Sequence, residues 1–129
     1  MIVETSAFVA VIFQEAGWEV LYRQMATNDC RMGAHSWVET NIVIVGRLGE
    51  NGRADAEKLR QAIRLEIVAF SEMEAELAID GFLLYGKGRH PASLNFGDLM
   101  SFGCARRNDE PLLFVGDDFP QTDVVPATL

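Results

Sequence analysis

The chain has 129 residues, of which 49% are hydrophobic and 23% charged, with only 4 prolines. That is the size of one domain and the make-up of a folded protein, which excludes a multi-domain, disordered or fibrous reading. Eleven basic against nineteen acidic side chains leave a net charge of −8, a field that repels phosphate backbones unless a cation or a local basic patch reverses it.

In chain order, Met1-Ile2-Val3 reads as a minimal strand ending at Glu4. Thr5 and Ser6 offer N-cap hydroxyls to a buried helix over Ala7–Phe13. Gly17 opens an amphipathic helix to about Ala26, with Trp18, Leu21, Tyr22 and Met25 on one face, and Asn28-Asp29 breaks it. Cys30–Ala34 is a second, weak strand. Ser36-Trp37-Val38-Glu39 has the form of a capping box and opens an apolar helix to about Leu48, closed by Gly49. Gly52–Leu65 reads as an exposed helix and Glu66–Phe70 as a strand.

Ser71 caps a helix to about Tyr85, followed by the basic, glycine-punctuated loop Gly86-Lys87-Gly88-Arg89-His90-Pro91. Asn95 caps a helix from Phe96 to about Arg107, Leu112–Val115 is a buried strand, and Asp123-Val124-Val125 forms a last short one. Strands alternating with helices predict an α/β domain over residues 1–129, with a mainly parallel sheet of four to five strands and helices on both faces. The apolar run Ala7–Phe13 is too short to cross a bilayer, and no secretion signal is legible, so a cytoplasmic protein is expected. Cys30 and Cys104 lack metal-site spacing and are expected as free thiols.

Ligands of such domains sit at the carboxyl ends of the strands. Glu4 follows the first strand, Asp117 and Asp118 follow the late one, and Glu39 and Asp98 lie in the first turns of helices entered at that same edge. Taken singly, Glu39 suits a capping box, Asp98 a helix dipole and Asp117 or Asp118 a turn. Taken together they repel: two carboxylates about 4 Å apart cost roughly 4 kcal/mol at an effective dielectric of about 20. The chain has only two lysines, Lys58 and Lys87, so a divalent cation is the natural neutraliser. An all-oxygen site suits Mg²⁺ or Mn²⁺, which orient water and stabilise in-line displacement at phosphorus. Lys87, Arg89 and His90 are the compact basic cluster near Asp98 and the candidates for phosphate contact, against the alternative of a solvated loop tip.

Four segments resemble the PIN-domain ribonucleases, and within them the VapC-type toxins of bacterial toxin–antitoxin modules. Met1-Ile2-Val3-Glu4-Thr5-Ser6-Ala7 resembles the opening strand and acidic turn, and Ser36-Trp37-Val38-Glu39-Thr40 the second acidic site. The most specific stretch is Tyr85-Gly86-Lys87-Gly88-Arg89-His90-Pro91-Ala92-Ser93-Leu94-Asn95-Phe96-Gly97-Asp98, and Pro111–Phe119 with Thr122-Asp123 completes the pattern. The resemblance implies a Mg²⁺- or Mn²⁺-dependent endoribonuclease acting on tRNA or another structured RNA, inhibited by a VapB antitoxin and commonly homodimeric. By position, Glu4 and Asp98 would be the principal metal ligands, Glu39 with Asp117 and Asp118 would complete the acidic pocket, and Ser6 would be ancillary.

One departure stands out. The family's first acid is almost always Asp, whereas Glu4 carries an extra methylene that can move the carboxylate by roughly 1.5 Å. The competing reading is therefore a catalytically weakened PIN-fold binding module that keeps its partner. A phosphorylatable receiver domain would need an acidic pair after the first strand, and a haloacid-type phosphatase an Asp-x-Asp there; Glu4-Thr5-Ser6 supplies neither.

Overall fold

The computed structural model describes Met1–Leu129. Four short parallel strands, β1 (Ile2–Val3), β2 (Arg31–Gly33), β3 (Glu66–Val68) and β4 (Leu112–Leu113), form one sheet in the order β3-β2-β1-β4. The chain steps outward from β1 to β2 to β3 and then crosses back to place β4 on the other side of β1. The switch point of the sheet therefore lies between β1 and β4, where open α/β sheets form their crevice.

Six helices cover the sheet: α1 (Thr5–Ile12), α2 (Trp18–Thr27), α3 (Ala34–Leu48), α4 (Gly52–Ala62), α5 (Glu72–Tyr85) and α6 (Phe96–Asn108). Successive strand residues point to opposite faces, and β1 and β4 divide their side chains accordingly. Val3 and Leu113 join Phe8, Met25, Met32, Ile44 and Leu59 in a core under α1–α4. Ile2 and Leu112 join Ala78, Leu94, Leu99 and Phe102 in a second core under α5 and α6. Phe8 is wholly buried and meets Trp37 edge-on at 5.8 Å between ring centroids. Cys30 and Cys104 are buried free thiols, and no helix is long and apolar enough to cross a membrane.

Three local expectations need correction. The cap of α1 is Glu4 itself, in extended conformation, and not Thr5 or Ser6, which lie inside the helix. The capping box at Ser36 and Glu39 does not form, because α3 begins three residues earlier, at Ala34, with Gly33 at its cap. Ser36 thus sits inside the first turn with its hydroxyl turned to the interior, and Glu39 is released from any capping duty. The strand expected over Asp123–Val125 does not form: those residues carry no regular structure, and the segment meets β4 only in a single bridge between Leu112 and Pro126. The other helices start as the sequence predicts: Ser71 and Glu74 make a capping box on α5, and Asn95 and Asp98 one on α6.

Candidate metal centre

The carboxyl edge of β1 and β4 opens into a cleft of about 290 Å³ lined by Glu4, Ser6, Glu39, Asp98 and Asp118, with Val9 and Val43 on its apolar wall. Four separate segments deliver the acids: the β1–α1 junction, α3, the first turn of α6, and the turn after β4. No lysine or arginine lines the cleft.

Glu4 is held most firmly. It is only 5% exposed, and its Oε2 accepts from the Ser6 backbone N–H at 2.7 Å and from the Ser6 hydroxyl. Ser6 Oγ in turn accepts from the Val115 N–H at 2.9 Å, which ties the end of β4 to the start of α1. Asp98 Oδ2 accepts from the Asn95 N–H at 3.1 Å, while Asn95 Oδ1 accepts from the Asp98 N–H at 2.9 Å. Each acid thus spends one oxygen on the fold and leaves the other, Oε1 or Oδ1, without a protein hydrogen bond.

Glu39 reaches the group through an omission in its neighbour. A Cβ on Gly97 would stand 2.6 Å from Glu39 Oε2, so glycine at 97 leaves that carboxylate the place it takes against the start of α6, from which any side chain would displace it. The role of Gly97 was not singled out in the sequence; its place immediately before an acid in a capping box is the signal that could have done so. Asp118 lines the cleft and Asp117 does not; the Asp117 carbonyl instead accepts from Gln121.

The electrostatics follow from this crowding. Burial pushes the Glu4 carboxyl above its usual range, against the lowering effect of the Ser6 hydrogen bonds, and Asp98 and Glu39 push it further. Burial likewise raises Asp98, with Asp118 and Glu39 adding to it and the Asn95 N–H opposing. Nowhere in the chain do three Asp, Glu, His or Cys side chains converge into a ready-made cation cage. The acids line a cleft instead of meeting at a point. Hard oxygen donors with unspent lone pairs and no basic neighbour are nonetheless what Mg²⁺ or Mn²⁺ takes, and such ions commonly bind through one or two carboxylates with waters filling the shell.

The basic cluster lies elsewhere. Lys87, Arg89 and His90 are in the turn between α5 and α6 and do not line the cleft. Arg89 packs over Phe82 and donates to the Leu83 carbonyl, and His90 Nδ1 accepts from the Ala92 N–H at 3.0 Å with its ring against Tyr85. Arg89 and His90 therefore shape the turn that leads into α6.

A parallel α/β sheet with acids gathered at its switch point defines the class as an α/β domain with a carboxylate cleft. A family model described as "PIN domain" matches residues 1–125. The chain is 42% identical to Ribonuclease VapC36 of Mycobacterium tuberculosis, over 96% of this chain and 91% of that protein. It is 38% identical to Ribonuclease VapC of Mycolicibacterium smegmatis, over 96% and 97%. Among solved structures it resembles Mycobacterium tuberculosis VapC20, described as a sarcin-ricin loop cleaving toxin, at a TM-score of 0.77 and 20% identity, covering 98% and 97% of the two chains. Rickettsia felis VapBC2, solved bound to a DNA fragment from its promoter, matches at 0.77 with 14% identity, covering 97% and 94%. This chain belongs to the PIN-domain family, in the branch of the VapC ribonucleases.

Proposed function

We propose that residues 1–129 act as one PIN domain whose cleft holds Mg²⁺ or Mn²⁺ and cleaves RNA phosphodiester bonds, as the toxin of a toxin–antitoxin pair. The observation that carries this reading is the gathering of Glu4, Glu39, Asp98 and Asp118 from four segments with no cation among them, in a chain whose relatives are named VapC ribonucleases. Glu4 and Asp98 would hold the ion, with Glu39 and Asp118 completing the acidic wall. A bound divalent ion supplies positive charge and Lewis-acid polarisation of the phosphodiester.

The protein's own share is arrangement. Ser6 fixes the Glu4 carboxylate with two donors on one oxygen, Oε2, and the Asn95 cap fixes Asp98. Val9 and Val43 limit the water that reaches the acids from one side. Without a bound ion the acids would repel RNA, which makes substrate approach conditional on the cation.

The antitoxin partner is VapB-like, by kinship with the VapC proteins, and a basic segment of it would complement the net charge of −8. A homodimer is proposed too. The groove between α5 and α6, lined by Phe70, Ile79, Phe82, Phe96 and Met100 without a polar residue, offers an apolar face for a second copy. The cytoplasm, where RNA and antitoxin both reside, is the proposed location.

Incubating the protein with a tRNA and ribosomal RNA panel in Mg²⁺ or Mn²⁺ tests the reading. Cleavage by wild type and by Glu4→Asp, lost in Asp98→Asn and on chelation, is expected. Inactivity of both wild type and Glu4→Asp across the panel would leave the partner-binding module in its place.

A further inference from the structure

Next to the carboxylate cleft, in the interior, runs a line of hydroxyls and one imidazole that the acid chemistry does not use. Thr40 Oγ1 donates to Thr5 Oγ1 at 3.3 Å, and Thr5 Oγ1 donates to the Ser36 carbonyl at 3.4 Å. Ser36 Oγ then meets His35 Nε2 at 2.9 Å and Ser101 Oγ at 3.1 Å, with His35 Nε2 and Ser101 Oγ 3.4 Å apart. Thr5, Ser36, Thr40 and Ser101 are all buried. These groups join three helices, and each lies within one turn of an acid. Thr5 follows Glu4, Ser36 and Thr40 bracket Glu39, and Ser101 is three residues beyond Asp98.

His35 is built into this line at some cost. Its ring stands edge-on to Phe70 at 4.9 Å and packs on Gly33, where a Cβ would lie 2.5 Å from Cε1. Its buried Nδ1 has no partner, so the tautomer that places hydrogen on Nε2 avoids an orphaned donor and lets Nε2–H donate to Ser36. A buried polar group left half-satisfied would be replaced at no loss by an apolar one if stability were its only contribution. What the hydrogen bonds supply that Val or Leu could not is a fixed distance between the start of α3 and the first turns of α6.

We propose that His35, Ser36 and Ser101 are positioning residues, a latch between α3 and α6 that sets the spacing of Glu39 from Asp98. The inference rests on the reading of the cleft as a divalent-metal site, and the latch residues touch neither ion nor RNA.

Ser36→Ala, Ser101→Ala and the double variant test it, with Mn²⁺ affinity read by calorimetry and the amide resonances of Glu39 and Asp98 read in the metal-free protein. Each single change is expected to weaken Mn²⁺ binding about tenfold, in the range of outer-shell substitutions at metal sites. The double variant is expected to lose about the same factor and not its square, because both singles break the same α3–α6 link, the Ser36–Ser101 bond. The Glu39 and Asp98 amides should shift in all three while those of Leu21 and Leu59 stay in place. Gly33→Ala, which displaces the His35 ring without removing a hydroxyl, should reproduce the pattern. Affinities within about twofold of wild type, unmoved amides, or losses that multiply would overturn the latch. Wild-type protein that binds no Mn²⁺ would overturn the metal reading instead, and the metal-free amide shifts would then decide the latch alone, unmoved resonances refuting it.

Discussion

Gly97→Ala separates arrangement from stability at this cleft. The new methyl would begin 2.6 Å from Glu39 Oε2, whereas ordinary carbon–oxygen contact needs about 3.3 Å, so the carboxylate must retreat by about 0.7 Å. It can do so cheaply, being the free end of a half-buried side chain. Position 97 is the second residue of α6, where alanine is the better helix former by about 0.5–1 kcal/mol. The melting midpoint of the metal-free protein should therefore hold or rise by a few degrees. Function should not hold: misplacing a group by about 1 Å can cost on the order of a hundredfold, so a loss of about tenfold or more in kcat/KM on a minimal RNA is expected, with weaker Mn²⁺ activation. Calorimetric melting and cleavage kinetics on the same preparation check both halves. Full activity would refute the placement of Glu39 beside Asp98, and activity lost in step with the melting midpoint would refute the separation.

Glu4→Gln and Asp98→Asn keep the acceptors that Ser6 and Asn95 use. Both carboxyls titrate higher in the folded chain than their ordinary values of 4.5 and 3.8. Each anion therefore costs stability at neutral pH, a cost relieved as pH falls through the raised values. At pH 7, melting without metal should show each amide variant as stable as wild type or more so, and neither should be stabilised by Mn²⁺ as wild type is. Burial lowers the His35 imidazole from 6.5 to about 4. An NMR titration should find it neutral down to about pH 5, and its contribution to stability should be lost as pH falls from 6.5 towards 4, where only the unfolded chain takes the proton. Phe8→Ala, in the centre of the larger core, should cost about 3–5 kcal/mol in urea unfolding.

Much of this architecture is written in local signals. Ser71 and Asn95 stand where a hydroxyl or amide can cap a helix with an acid three residues on, and both caps form. The alternation of apolar strands and helices is enough for a parallel sheet. The capping box at Ser36 fails because its pattern is local while its fate is not: Ser101, 65 positions away, claims the hydroxyl for the interior. Asp117 and Asp118 are equivalent in sequence, and only the path of the turn into Phe119, which is buried, turns one to the cleft. The strand expected at Asp123–Val125 had the right composition but stops at a single bridge next to Pro126. At the site, the four acids were legible by position. Gly97 was hidden because its contribution is an absent side chain, and the basic cluster at Lys87–His90, near Asp98 in sequence, stands outside the lining of the cleft.

The most direct test of the central claim is anomalous diffraction from crystals soaked in Mn²⁺. A peak within coordinating distance of the Glu4 and Asp98 carboxylates is expected, and it should disappear in Asp98→Asn. Ordered acids with no peak between them, or a peak elsewhere on the chain, would contradict it.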